Sequence, residues 1–224
     1  VIWASCMVSC GDADGAVTGN TRRYGASLEK ITKVVDTRPG EIMFGLNMIV
    51  NKGKTVFVGD TSVHEYPSSE HLAEIAISSA RVVRLFGFDP KVAFVSHSTF
   101  GQPLTSRTKH IKNAVDILKR KNVDFKFDGD MQPDVALNDQ YKELYPFSEI
   151  VGNANILIMP GQHSAAISYK MMRELGGAKV IGPLLIGLGQ PIEIAPLRSS
   201  TSDILNLASI AAYSAGVINY NKKN

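Results

Sequence analysis

Cysteine is scarce in this 224-residue chain: only Cys6 and Cys10 occur. No further cysteine and no clustered histidine stands beside them, so no disulfide framework or thiolate metal site is indicated. They are four residues apart on one helix face and are expected to be buried free thiols. Long apolar runs are lacking as well; none approaches the roughly 20 residues that span a bilayer, which argues against a membrane helix. Val1-Ile2-Trp3-Ala4 lacks the basic flank of a secretory signal. Neither sign of charge dominates: 24 Lys and Arg stand against 21 Asp and Glu, a net charge of +3. The basic residues are scattered, and Lys222-Lys223 reads as a solvated tail, so no nucleic-acid surface is expected. Internal repeats and low-complexity tracts are also missing. These absences leave a cytoplasmic protein without nucleic-acid or membrane partners as the expectation.

What remains is an ordinary globular composition, 44% hydrophobic and 20% charged, long enough for one large domain or two small lobes. Residues 1–9 read as the end of a helix stopped by Gly11, and Ala16-Val17-Thr18 as a short strand closed by Gly19. A helix from Ser27 to Val35 ends at Arg38-Pro39-Gly40, where a lobe boundary fits. Thr55–Val58 is a strand ending at Gly59-Asp60. Leu72, Ile75, Ala76, Ser79, Val82, Val83 and Phe86 follow helical spacing behind an N-cap at Ser68 or Ser69, with Gly87 as the stop. Lys91–Ser96 reads as a strand, Thr108–Lys121 as a helix, Val123–Phe127 as a strand. A helix around Ala136, a strand at Ile156–Met159, a helix at Ser164–Glu174, a strand at Val180-Ile181 and a helix at Asp203–Tyr213 complete the chain. Strand and helix alternate at connections too short for hairpins, which predicts largely parallel sheets covered by helices. The chain opens in the middle of this pattern, and so reads as the C-terminal part of a longer polypeptide.

Ligands of open α/β sheets bind outside the carboxyl ends of the strands. Asp128-Gly129-Asp130-Met131-Gln132-Pro133-Asp134 supplies carboxylates at one such end. Gly152-Asn153-Ala154-Asn155 leads into the buried strand that Pro160 stops, and Ile181-Gly182-Pro183-Leu184-Leu185-Ile186-Gly187 follows. With Gly11-Asp12-Ala13-Asp14 through Gly19, Gly59-Asp60 and Ser202-Asp203-Ile204, these elements resemble the phosphate acetyl/butyryl transferase family, in the same order, from Gly11 to about Ala215. The resemblance implies two αβα lobes with a cleft between them that takes acetyl-CoA and phosphate. Residues 1–40 and 191–224 would form a first lobe, incomplete in this chain, and residues 41–190 the second.

The departures from that family carry as much information. Its active members bear Asn-Asp-Leu-Ser-Arg-Gly before the last helix, with an Asp seven residues after the Ser. Here Asp203 keeps the acid, but the serine position falls on Pro196 and the arginine position on Leu197, with Arg198 displaced by one. The family's Arg-Pro in the early helix corresponds to Glu29-Lys30, and its Asn-x-Gly-Asn after the buried strand to His163-Ser164-Ala165-Ala166. Acyl transfer to phosphate needs fixed positive charge and donors aimed at the developing oxyanion, so ligand binding without much turnover is expected. Thr21-Arg22-Arg23-Tyr24, Asp36-Thr37-Arg38-Pro39-Gly40, Gly59-Asp60-Thr61-Ser62-Val63-His64 and Phe94-Val95-Ser96-His97-Ser98-Thr99-Phe100-Gly101 resemble a subfamily. It is the transferase-like C-terminal domain of bacterial hybrid NADP-dependent malic enzymes. That resemblance implies an N-terminal malic domain in the same polypeptide, using NADP and a divalent metal (Mg or Mn) to decarboxylate malate oxidatively to pyruvate. It also implies regulation by acetyl-CoA and a homo-oligomer, at least a dimer. This segment itself is expected to need no cofactor; the alternative is an active phosphate acetyltransferase making acetyl phosphate.

The candidate ligand residues are Arg22, Arg23, Asp60, Asn155, Arg198, Ser199, Ser200, Thr201 and Asp203; if the segment is active, Asp203, Arg198 and Ser199 carry the chemistry. Arg22 and Arg23 either hold CoA phosphates by charge-assisted hydrogen bonds or form a solvated loop pair. Asp60 serves either a neighbouring turn or a ligand. Arg198 to Thr201, at a helix start, suit an anion. Asp128, Asp130 and Asp134 lack the completion of a calcium loop, so no metal is expected and Asp134 is read as a helix cap. His64 and His97 stand near strand ends where a general base would sit, but spacing identifies no partner, and structural roles are expected.

Overall fold

The computed structural model describes the backbone of residues 1–223 and the side chains of residues 1–217, so the tail reading of Lys222-Lys223 lies outside the described side chains. The chain divides into two units, Val1–Gly45 with Ile181–Asn224, and Leu46–Val180. The sequence-based cuts lie at 40/41 and 190/191.

In the first unit, α1 (Ile2–Cys10) is closed by Gly11 at φ 84°, with the Gly11 and Asp12 amides returning to the Val8 and Met7 carbonyls. A left-handed glycine does this without Cβ strain. Cys6 is half-buried and Cys10 exposed, both free thiols, which corrects the expectation of burial: α1 turns that side outward. Strand β1 (Ala16–Gly19) pairs in parallel with β8 (Ile192–Ala195), in register from Ala16 opposite Ile192 to Gly19 opposite Ala195. Helix α2 (Tyr24–Ile31) starts and stops earlier than expected, burying Ile31, and α7 (Thr201–Lys223) runs longer, burying Leu207 and Ala211. Strand β8 escaped the sequence reading because Glu193 interrupts its apolar pattern, yet all four of its residues are buried.

The second unit is built on a sheet in the order β5-β4-β6-β3-β2. Strand β2 (Phe44–Asn51) and β3 (Lys54–Gly59) form an antiparallel hairpin, a correction to the reading that connections were too short for one. Lys52 and Gly53 both take positive φ, 48° and 77°, the pair of left-handed residues that a two-residue hairpin turn requires. The remaining pairs, β3–β6 (Ile156–Ile158), β4 (Lys91–Val95)–β6 and β4–β5 (Lys126–Met131), are parallel. Helices α3 (Ser69–Leu85), α4 (Ser106–Lys121), α5 (Pro133–Leu137) and α6 (Gln162–Glu174) make the crossovers. Ser68 caps α3 by accepting from the His71 amide. Phe57, Phe94, Leu72, Ile75, Ile156 and Ile158 are fully buried between sheet and helices. Strand β7 (Lys179–Ile186) leads back to the first unit. The fold is α/β with mainly parallel pairing, and the parallel strands β3, β4, β5 and β6 end at one edge. Among the described residues no helix is long and apolar enough to cross a membrane.

Gly19 permits the close approach of β1 to β8 opposite Ala195. It has φ 101°, and a Cβ there would meet the Ala195 carbonyl oxygen at 2.3 Å. Gly19→Ala is expected to destabilise the first unit by about 2–4 kcal/mol through strain and steric conflict, read as a lowered midpoint in chemical denaturation.

Candidate functional site

The carboxyl edge of each unit gathers polar loops. In the first unit, the loop after β1 and the loop after β8 are tied by two main-chain hydrogen bonds, Asn20 N–H to the Ala195 carbonyl at 2.9 Å and Arg198 N–H to the Asn20 carbonyl at 3.2 Å. Arg22 and Arg23, exposed, belong to the first of these loops; Arg198, Ser199 and Ser200 belong to the second, and Thr201 and Asp203 to the first turn of α7 that follows it. The folding of this unit therefore brings together seven of the nine sequence-derived candidates. Arg198 takes φ 64° and stays exposed.

The same loop uses most of its hydroxyl and carboxylate capacity internally. Ser200 accepts from the Asp203 amide at 3.2 Å, while the Asp203 carboxylate accepts from the Ser200 amide at 2.9 Å and its hydroxyl at 2.7 Å. This is a reciprocal capping box at the start of α7. Ser199 donates to the Pro196 carbonyl at 2.8 Å. Pro196 and Leu197 occupy the positions where the resemblance places a serine and an arginine.

Just before this loop, Glu193 lies opposite Val17 in the strand pair and is buried at 4% exposure. Its carboxylate accepts from the Leu185 amide at 2.9 Å. Desolvation pushes the carboxyl up to about 8, opposed by that single amide. Sequence reading missed this group, and only its apolar neighbours Ile192 and Ile194 hinted at burial.

In the second unit, Asp60 follows β3 and is enclosed. Its carboxylate accepts from the amides of Ser62 (2.9 Å), Val63 (3.2 Å) and His64 (2.7 Å), and meets His64 Nδ1 at 2.8 Å. His64 thus has the partner that spacing left unidentified, in keeping with the structural role expected of it. The partner is four residues back, and a tight loop rather than helical periodicity brings the two together. His97 is exposed. Along the same edge, buried Asp130 accepts from the Ser98 hydroxyl and from the Gly101 amide at 3.0 Å. Asn155 lies elsewhere: it precedes β6 at the amino edge, where its amide accepts from Lys91 N–H at 2.8 Å and donates to the Asp89 carbonyl at 2.7 Å. Those bonds fix the entry of β4, so Asn155 does not share an edge with Asp60. Asp134 does not cap α5 as expected; Gln132 holds the N-cap position. Asp134 instead accepts from the Val135 amide at 3.0 Å and raises the Tyr141 hydroxyl through a hydrogen bond. Among the described residues no cluster suited to a metal ion occurs.

Solved structures with this arrangement define the class. A phosphotransacetylase from Streptococcus pyogenes superposes with a TM-score of 0.90 at 30% identity, covering 96% of this chain and 66% of that one. The family described as "Phosphate acetyl/butaryl transferase" matches residues 1–212. The chain belongs to that family. It is 33% identical over 223 residues to the phosphate acetyltransferase of Clostridium acetobutylicum, covering 95% of this chain and 67% of that protein. It is 49% identical over 214 residues to the NADP-dependent malic enzyme of Rhizobium meliloti, covering 96% of this chain and 28% of that protein. The chain thus spans less than a third of the length of the malic enzymes it matches.

The buried acid makes the first unit sensitive to pH. Below about 4.5, the ordinary glutamate value, Glu193 is protonated in folded and unfolded chains alike. Between there and about 8 the unfolded chain releases the proton and the folded chain keeps it, so stability falls as pH rises. Above that range the loss is constant. Glu193→Gln is expected to remove this decline, with little change at pH 5 and a gain on the order of 5 kcal/mol at pH 9, measured by denaturant titration.

Proposed function

We propose that this chain is the phosphate acetyltransferase-like C-terminal part of a cytoplasmic NADP-dependent malic enzyme, that it binds acetyl-CoA as a regulator without transferring the acyl group, and that it contributes to a homo-oligomer, at least a dimer. The parent joins it to an N-terminal malic domain that carries out the oxidative decarboxylation of malate to pyruvate. NADP and the divalent cation, Mg or Mn, belong to that domain and are assigned to no residue here.

The reciprocal bonding of Ser200 with Asp203 carries the non-catalytic reading. Acyl transfer to phosphate needs a cation and hydrogen-bond donors arranged around the developing oxyanion. In this loop the carboxylate already serves the helix cap, Pro196 and Leu197 offer neither hydroxyl nor charge, and Arg198 is exposed. The greater identity to the Rhizobium malic enzyme than to the Clostridium transferase, 49% against 33%, supports the same parentage. Exposed Arg22, Arg23 and Arg198 suit the phosphates of a CoA ligand, because guanidinium–phosphate pairs are strong and need no buried cavity.

Isothermal titration with acetyl-CoA is expected to give saturable binding that Arg22→Ala and Arg198→Ala each weaken about tenfold. Incubation with acetyl-CoA and phosphate is expected to give no acetyl phosphate; clear turnover would overturn the non-catalytic reading in favour of an active transferase.

A further inference from the structure

The outer face of α6 is apolar where a surface helix is ordinarily polar. Its inner face packs Ala165, Tyr169 and Met172 into the core of the second unit. On the opposite side Ile167, Met171 and Leu175 are 58%, 54% and 83% exposed. They stand four residues apart, with His163 one step earlier, and so form a single ridge along the helix. Tyr66, 75% exposed, prolongs the ridge by stacking on the His163 ring, 6.4 Å between centroids and 18° between planes. These side chains leave on the order of 500 Å² of largely apolar surface open to water, the size of the patches that mark contact sites on monomers.

We propose that this ridge is the surface through which two copies of the chain pair about a two-fold axis; the inference rests on the homo-oligomer reading above and names its contact face. Packing geometry, charge and area each select a second copy as the occupant. Rows of residues four apart are the ridges that interlock in the commonest class of helix packing, at a crossing angle of about −50°. A two-fold axis sets the same ridge on both sides. The rows beside it carry Ser164, Ala166 and Ser168, whose small side chains leave grooves for a facing ridge to enter.

One flanking row also carries Lys170 and Glu174, one charge of each sign. A second copy offers an opposite charge to both, whereas a partner of single sign would be repelled by one of them. One side of a standard interface buries roughly 800 Å². The ridge supplies more than half of that, and its charged flanks suit the polar rim. Both ends of the ridge are held in place in the single copy. Glu65 pairs with His163 at 3.1 Å, and the Leu175 amide donates to the Met171 carbonyl at 2.9 Å. Little ordering is left to lose on association.

Analytical ultracentrifugation of the whole chain at micromolar concentration tests this. A dimer is expected, and Met171→Lys and Leu175→Asp are each expected to raise its dissociation constant about a hundredfold, because a two-fold contact buries every new charge twice. Lys112→Asp, at an exposed position of α4, is expected to leave the dimer unchanged. Leu175 is so exposed in the single copy that its substitution cannot unfold the chain, and circular dichroism of each variant should match the wild type. A wild-type dimer that both ridge substitutions leave intact overturns the inference while the oligomer reading stands, and assigns the ridge to a different partner. A wild-type chain that sediments as a monomer overturns both.

Discussion

A carboxylate withdrawn from water must be met by donors, and in this chain the loops at the strand ends meet their own. Asp60 collects the amides of the three residues beginning two positions after it, and an imidazole from the same loop. Asp203 closes on Ser200. Asp130 is met by Ser98 and the Gly101 amide. For buried Asp60 and Asp130 the pairing offsets a desolvation cost that an unmet charge could not bear; Asp203, only partly buried, closes a helix cap instead. Glu193 shows the other outcome: with one amide for company, burial drives the acid toward its neutral form.

This constraint underlies the non-catalytic reading proposed for a chain that belongs to the transferase family. Carboxylates, glycines and strand-end loops of the transferase family are present in order, and the solved phosphotransacetylase superposes over nearly the whole chain. Yet catalysis depends on a few atoms arranged around a reacting group, and Pro196 and Leu197, where the resemblance places a hydroxyl and a guanidinium, would change those atoms without disturbing the strand pair beneath. Fold and chemistry are separable for this reason. On the proposed reading, surface arginines would keep an attraction for phosphates without the reacting groups, because charge acts over several ångströms and tolerates small displacements, whereas acyl transfer does not.

The alternation of strands and helices, the helix starting behind Ser68, the stops at Gly11, Gly19 and Gly87, and the resemblance to the transferase family could all be read along the chain. These rest on local chemistry: side-chain periodicity, N-cap hydroxyls and glycine's tolerance of left-handed backbone. The hairpin from β2 to β3, the buried strand around Glu193, the pairing of Asp60 with His64 and the amino-edge position of Asn155 could not. Each depends on which segments lie side by side after folding. Glu193 is buried because β1 pairs with its strand while α2 and α7 pack against it; His64 is oriented because its loop wraps an enclosed carboxylate. Sequence determines which residues can be strand, helix or cap, while packing decides which polar atoms keep a free face, since burial and proximity are properties of the folded neighbourhood and not of the residue.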